Sequence, residues 1–343
     1  MSEQIITAPI DPEIQSLSET WVNLASRRLG SETLLASDDF FAPKERLIDL
    51  ADPIFIPDKY DDHGKWMDGW ESRRRRSPGH DWCIIKFGFS GRIRFVDIDT
   101  SFFTGNYAPK ASIDVCHSNK EIPDDDDWQG LVSLTDLKGD SHNVIEVSNS
   151  GIWSHLRLNI VPDGGVARLR VFGELEKNWS EKELTETVDL AALANGARPV
   201  CWSDAHYGKP SNILAPMPGI DMGDGWETAR RRGPGHDWCI IKLATVGQIE
   251  DILVDTAHFK GNYPDSCTLQ GARLSRDLER SELIKQSEAW QDILPQQKLA
   301  ADCQQNFRDQ IKNHDPINFV RFSIYPDGGV SRLRLYGKIT EIG

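Results

Sequence analysis

One constellation of chemically able side chains occurs twice in this chain: a glutamate, a run of arginines and a Gly-His-Asp-Trp turn. Residues 68–86 read DGWESRRRRSPGHDWCIIK and residues 224–242 read DGWETARRRGPGHDWCIIK, identical at 16 of 19 positions. Drift would erase that much sameness between tandem halves if only a fold were being kept, so the stretch reads as chemistry first. His80 with Asp81, and His236 with Asp237, are the candidate acid–base groups, because imidazole changes charge near neutral pH and a carboxylate can orient it. Glu71 and Glu227 are the competing acid–base candidates. Arg74, Arg75 and Arg76, matched by Arg230, Arg231 and Arg232, offer the paired donors that hold a planar carboxylate. Arg73 becomes Ala229 in the second copy. The ordinary alternatives are structural: arginines bridging Glu71, Asp81, Asp97 or Asp99, and a His-Asp pair tying a turn.

Further candidates follow downstream. Asp99 and Asn106 recur as Asp255 and Asn262, 156 residues later. Their positions at a strand end and a Gly turn suit either the turn itself or binding of an amide-rich ligand. The segment PDGGVARLRVFG (162–173) recurs as PDGGVSRLRLYG (326–337), bringing Arg168, Arg170, Arg332 and Arg334 as a solvated face or an anion-binding surface. Trp70, Trp82, Trp226 and Trp238 read as core before they read as stacking platforms.

Other chemistries lack their signatures. The chain has no nucleophile elbow, Walker loop or Rossmann glycine pattern, and GDSHN at 139–143 is not GxSxG. The six cysteines, Cys83, Cys116, Cys201, Cys239, Cys267 and Cys303, form no CxxC pair and read as buried free thiols. Asp124–Asp127 lacks the spacing of a calcium loop and reads as a solvated loop. No cofactor is evident; a divalent metal has no HxH, HExxH or facial-triad motif behind it, and the sequence leaves its presence open. The net charge of −14, from 53 acidic and 39 basic residues, argues against nucleic acid and anionic membranes as partners. No apolar run is long enough to span a bilayer, and MSEQIITAPIDPEIQ lacks the features of a signal peptide. A cytoplasmic location is the expectation.

The elements that must position these residues have period two. CIIKFGF, IRFVDIDT, HLRLNIV and VARLRVFG are short, alternating or β-branched, and bounded by Gly, Pro or Asp. If PDGG closes Val161 onto Val166 as a hairpin loop, Asn159 faces Arg168 and Arg157 faces Arg170. Leu158–Leu169 and Leu156–Val171 then line the apolar side, as a half-buried antiparallel pair requires. The expected class is all-β, two tandem β-sandwiches related by an internal repeat. The expected organisation is a lead-in at 1–28, a first repeat at 29–174, a linker at 175–197 and a second repeat at 198–343. SLSETWVNLAS predicts a short helix capped by Ser16 or Ser18, and EKELTETVDLAALANG a helix-like linker stopped at Gly196. The second copy's extra residues fall in 275–307, a helix or loop excursion.

ASDDFFAP (36–43), DGWESRRRR, PGHDWCIIK, DTSFFTGNYAP and the twice-used PDGGVxRLR together resemble the allantoicase family, in its fungal form. The resemblance covers nearly the whole chain from about residue 29, in both copies. It implies two jelly-roll domains of galactose-binding-like shape and a homo-oligomer. It also implies hydrolysis of allantoate to ureidoglycolate and urea, in purine and allantoin degradation for nitrogen supply. With that small anionic ureido substrate, an arginine holds the carboxylate, and Asp, Glu and Asn meet the ureido groups. His80 or His236, oriented by Asp81 or Asp237, moves the proton, or Glu71 or Glu227 does so instead. The differences Arg73/Ala229, Ser77/Gly233 and Phe102/His258 leave open whether both copies are catalytic. Hydrolysis of ureidoglycolate and a non-catalytic tandem carbohydrate-binding role are the alternatives. The repeated arginine-rich motif favours a charged small ligand over a glycan.

Overall fold

The structure is a computed structural model that describes residues 4–149 and 151–341; the outer boundaries expected at residues 1 and 343 lie outside the described residues. The chain divides into two compact units between Glu176 and Lys177. Each is built on one unusually long strand.

In the first unit that strand is Asp81–Asp99, 19 residues. A strand so much longer than the usual five or six residues must bend, and Gly88 and Gly91 sit where it does. A side chain at Gly88 would come within 1.8 Å of the Leu29 carbonyl oxygen, and one at Gly91 within 2.6 Å of that of Glu174. The first half of the strand pairs with Trp153–Val161 and with Glu32–Ala36. The second half pairs with Arg168–Leu175 and with Val144–Glu146. Lys110–Cys116 and Gln129–Asp136 extend the first face, and Val22–Asn23 extends the second. Both faces turn their alternate apolar residues to one core, with Ile85 and Phe87 from the first half, Ile98 from the second, and Leu156, Leu158, Leu169 and Val171 from the partners. This is a jelly-roll β-sandwich made by folding one continuous sheet.

The second unit repeats the plan around Asp237–Asp255. Ile317–Tyr325 and Arg198–Trp202 flank its first half, and Arg332–Glu341 and Gln304–Phe307 its second. Thus the fold class expected from the sequence holds: all-β, two sandwiches in tandem.

The hairpin does not. Asn159 lies opposite Trp82 and Ser112, and Arg157 opposite Ile84 and Asp114. Arg168 lies opposite Asp99 and Arg170 opposite Asp97. PDGG therefore crosses from one face of the sandwich to the other. Apolar alternation reports which side of a strand is buried, not which strand it is bonded to. Both strands face the same core, so the alternation fits either arrangement.

Segments outside the expected repeat boundaries also build the sandwiches. Val22–Asn23 pairs with Phe172 and Gly173, and Thr187–Asp189 pairs with Tyr336–Lys338. The N-terminal helix is Pro12–Thr20, and its cap is Asp11, not Ser16 or Ser18; the Asp11 carboxylate accepts from the Glu13 and Ile14 amides at 2.8 and 3.2 Å. Proline at the first helical position favours this earlier start. The second helical expectation reduces to Glu181–Thr185, while Gly196 ends a short 3₁₀ turn in the left-handed region, φ 98°. The excursion at 275–307 holds the helix Arg280–Ser287, followed by the strands Gln291–Lys298 and Gln304–Phe307.

Candidate active site

Three segments far apart in sequence meet at the PDGG crossing. Trp70–Glu71 pairs antiparallel with Gly165–Val166, placing Glu71 opposite Gly165. The Gly165 amide donates to the Asn106 carbonyl at 2.8 Å. Two glycines are needed here for different reasons. Gly164 has φ +136°, and a Cβ on Gly165 would lie 2.0 Å from the Phe103 ring. The result is a cavity of about 350 Å³ whose lining includes Glu71, Ser72, Arg74, Asn106, Tyr107 and Asp163.

The Asn106 amide donates to Glu71 Oε1 at 2.8 Å. Burial pushes the Glu71 carboxyl above the usual carboxylate range, and the Asn106 bond pulls it part of the way back. Arg74 stands at the mouth, largely exposed, its Nε 3.9 Å from Asp163 Oδ1. Asp163 also accepts the Arg75 amide at 2.7 Å, which pins the arginine run to the crossing loop. The cavity thus offers a carboxyl whose pKa is raised, a side-chain amide and an exposed guanidinium around a space fit for a small anion.

The second unit reproduces it in a cavity of about 440 Å³ lined by Glu227, Thr228, Arg230, Asn262, Tyr263 and Asp327 among others. Asn262 is hydrogen-bonded to Glu227, and the Arg231 amide donates to Asp327 at 2.8 Å. Two lining positions differ in character: Phe41 is replaced by Tyr207, and Pro109 by Asp265.

Several residues singled out in the sequence lie elsewhere. His80 is exposed and outside the first cavity. Asp81 is buried beneath the arginine run, where it accepts from Arg75 Nη1 at 2.6 Å and from Ser37 Oγ at 2.9 Å. Among the described residues no hydrogen bond joins His80 to Asp81. Asp237 is held likewise by Arg231 and Ser203. His236 stacks on Tyr325, ring centroids 4.4 Å apart, and burial together with Arg321 and Arg231 depresses its pKa. The cavities are therefore lined by Glu71 and Glu227 and not by the histidines, while Asp81 and Asp237 anchor the arginine run.

Asp99 and Asp255 are buried and lie outside both cavities. They accept the Ser101 and Ala257 amides at 2.8 and 2.7 Å, fixing the turns that lead to Asn106 and Asn262. Arg168 is buried against Asp68 at 2.8 Å, and Arg332 is paired in the same way with Asp224 at 2.6 Å. Arg170 bridges Asp52 and Asp99, while Arg334 binds backbone carbonyls and lies 3.6 Å from Asp189. None of these four arginines lines either of the two cavities, because loop residues such as Ala51, Asp52, Ala215 and Met217 engage that face of the strand. Arg76 and Arg232 are exposed. Among the described residues no group of three or more His, Cys, Asp or Glu side chains is placed to hold a metal ion.

Sequence reasoning missed Asp163 and Asp327 as cavity residues, along with Tyr107 and Tyr263. Both pairs are identical between the copies, and that was the available signal. The aspartates were read only as turn formers.

A family model of the allantoicase repeat matches this chain twice, over residues 22–176 and 188–340. The chain belongs to the allantoicase family. It is 50% identical over 336 residues to a probable allantoicase 2 of Burkholderia pseudomallei, covering 97% of this chain and 100% of that one. It is 51% identical over 324 residues to a probable allantoicase of Photobacterium profundum, covering 94% and 98%. The crystal structure of allantoicase from Saccharomyces cerevisiae superimposes with TM-score 0.80 at 32% identity, covering 97% of this chain and 100% of that chain. The resemblance read from sequence holds for the family. Its fungal shading does not sharpen, since these two bacterial relatives are more similar to the chain than the yeast protein is.

Proposed function

We propose that this protein hydrolyses allantoate to ureidoglycolate and urea, which makes it a hydrolase of non-peptide carbon–nitrogen bonds in linear amidines. The observation that supports this reading is the Glu–Asn–Arg cavity, formed twice in a chain of this family. Arg74 or Arg230 closes on the substrate carboxylate from the cavity mouth. Asn106 or Asn262 orients a ureido group alongside the glutamate.

Glu71, in its protonated form, gives its proton to the ureido nitrogen that leaves. The carbon–nitrogen bond breaks as the lone pair of the other ureido nitrogen moves in, releasing urea and leaving an N-carbamoyl iminium. A water oxygen then bonds that carbon while the Glu71 carboxylate takes its proton, so ureidoglycolate forms and the acid is restored. Glu227, hydrogen-bonded to Asn262, stands in the corresponding place in the second repeat. Such a positioned acid–base group contributes about 10²–10⁴-fold; orientation and charge stabilisation supply the remainder. Operation in purine and allantoin degradation, a cytoplasmic location and assembly as a homo-oligomer belong to the same reading. No helix among the described residues is long and apolar enough to cross a membrane.

Urea release from allantoate tests the reading, with ureidoglycolate as the parallel substrate. Allantoate alone is expected to yield urea promptly, and the double variant Glu71→Gln/Glu227→Gln to lose about 10²-fold or more of that rate. Full turnover by the folded double variant would remove the glutamates from the mechanism. Urea from ureidoglycolate but not from allantoate would replace the substrate.

A further inference from the structure

The second repeat holds open a cradle that the first repeat fills with its own side chain. In the first repeat Arg73 reaches Asp38, with Nε 2.7 Å and Nη2 2.6 Å from Oδ2. Its guanidinium lies over the Phe40 ring, 5.0 Å from the centroid. In the second repeat Ala229 stands in place of Arg73, and Asp204 in place of Asp38. The surroundings confirm the correspondence. Trp70 Nε1 donates to the Asp38 carbonyl and Trp226 Nε1 to the Asp204 carbonyl, each at 2.9 Å. The hydroxyls of Ser37 and Ser203 likewise bond Asp81 and Asp237, each at 2.9 Å.

With the arginine side chain gone, a space of about 370 Å³ opens, lined by Ser203, Asp204, Ala229, Arg230, Arg231 and Arg232 among others. The Asp204 carboxylate keeps backbone donors, the amides of Ala229 at 2.6 Å and His206 at 3.4 Å. Among the described residues no lysine or arginine forms an ion pair with it. A carboxylate that holds a planar guanidinium in one repeat is therefore free to hold a planar N–H fork in the other, and arginines stand beside it.

We propose that this cradle is a second small-ligand site, which takes a carboxylate carrying a guanidino or ureido group. The planar fork sits on Asp204, as Arg73 sits on Asp38, and the ligand carboxylate meets Arg230 or Arg232. Arg230 lines both this cradle and the Glu227 cavity, so an occupant touches the guanidinium that faces the neighbouring site. Neither the cradle nor its occupant depends on which reaction the cavities perform. Because the site is open, binding is expected to be weak, roughly millimolar.

The indole N–H of Trp226 donates into the Asp204 backbone and reports the cradle; Trp70 reports its counterpart. Titration with guanidinoacetate, followed through the tryptophan indole resonances in NMR, should shift the Trp226 signal saturably. N-carbamoylglycine, the neutral-fork arm, should shift it at higher concentration. Ala229→Arg fills the cradle from within and should weaken that response at least tenfold, with the melting temperature unchanged. The reciprocal variant Arg73→Ala should make the Trp70 resonance respond. The proposal is overturned if Trp226 stays still in the unaltered protein, or if Ala229→Arg responds as the unaltered protein does. Asp204→Asn gives an independent check: it should weaken guanidinoacetate more than N-carbamoylglycine, and equal loss of both would remove the carboxylate from the contact.

Discussion

At the scale of single residues, Glu71 and Asn106 work against each other. Burial favours the neutral carboxyl, while the Asn106 amide, bonded at 2.8 Å, favours the ionised one. If the protonated Glu71 begins the reaction, turnover falls as pH rises through its folded-state pKa. Removing the amide removes an interaction with the charged form, so that pKa rises further. In a Glu227→Gln background, where only the first repeat turns over, Asn106→Ala should therefore move the alkaline limb of kcat/KM to higher pH. The rate itself should also drop, because the amide orients the substrate. A limb that stays in place would show that another group sets it. His80 differs from Glu71 in placement, not in chemistry. Its type and spacing suit proton transfer, but the exposed turn holds it outside the cavity.

At the scale of elements, the site depends on strands that turn away from their neighbours in sequence. Alternation at Leu156, Leu158, Leu169 and Val171 was legible as buried faces, and so was the sandwich. The partner of each strand was not, because the bent strand Asp81–Asp99 lends one half to each sheet face and periodicity is blind to that. The Glu, Asn and Arg of the cavity were legible as repeated residues. Their convergence was not, since it depends on the long-range pairing of Glu71 with Gly165. Arg168 and Arg332 were read as a possible anion surface, yet a covering loop buries them in ion pairs with Asp68 and Asp224. Losing one partner strands a buried charge. Arg168→Leu should therefore destabilise the protein by about 3–5 kcal/mol, seen as an earlier transition in guanidinium chloride. Adding Asp68→Asn should recover part of that loss. A single variant that unfolds with the unaltered protein would mean that water reaches Asp68.

At the scale of the molecule, duplication has kept two complete cavities while loosening what surrounds them. Both retain the glutamate hydrogen-bonded to asparagine, the arginine at the rim and the aspartate that pins the arginine run. The net charge of −14 does not draw an anionic substrate in; local guanidinium groups must oppose it at each mouth. The differences between repeats lie beside the glutamates, in Phe41 against Tyr207 and Pro109 against Asp265, and in Arg73 against Ala229. They alter lining and neighbours, not the core trio. Each unit also has its own bent strand and its own glutamate–asparagine pair. Glu71→Gln and Glu227→Gln, made singly in the full chain, should each leave the turnover of the other repeat, with different KM values, and only the double variant should fall to background. Loss of all urea release in one folded single variant would show that one repeat carries the chemistry and the other only binds.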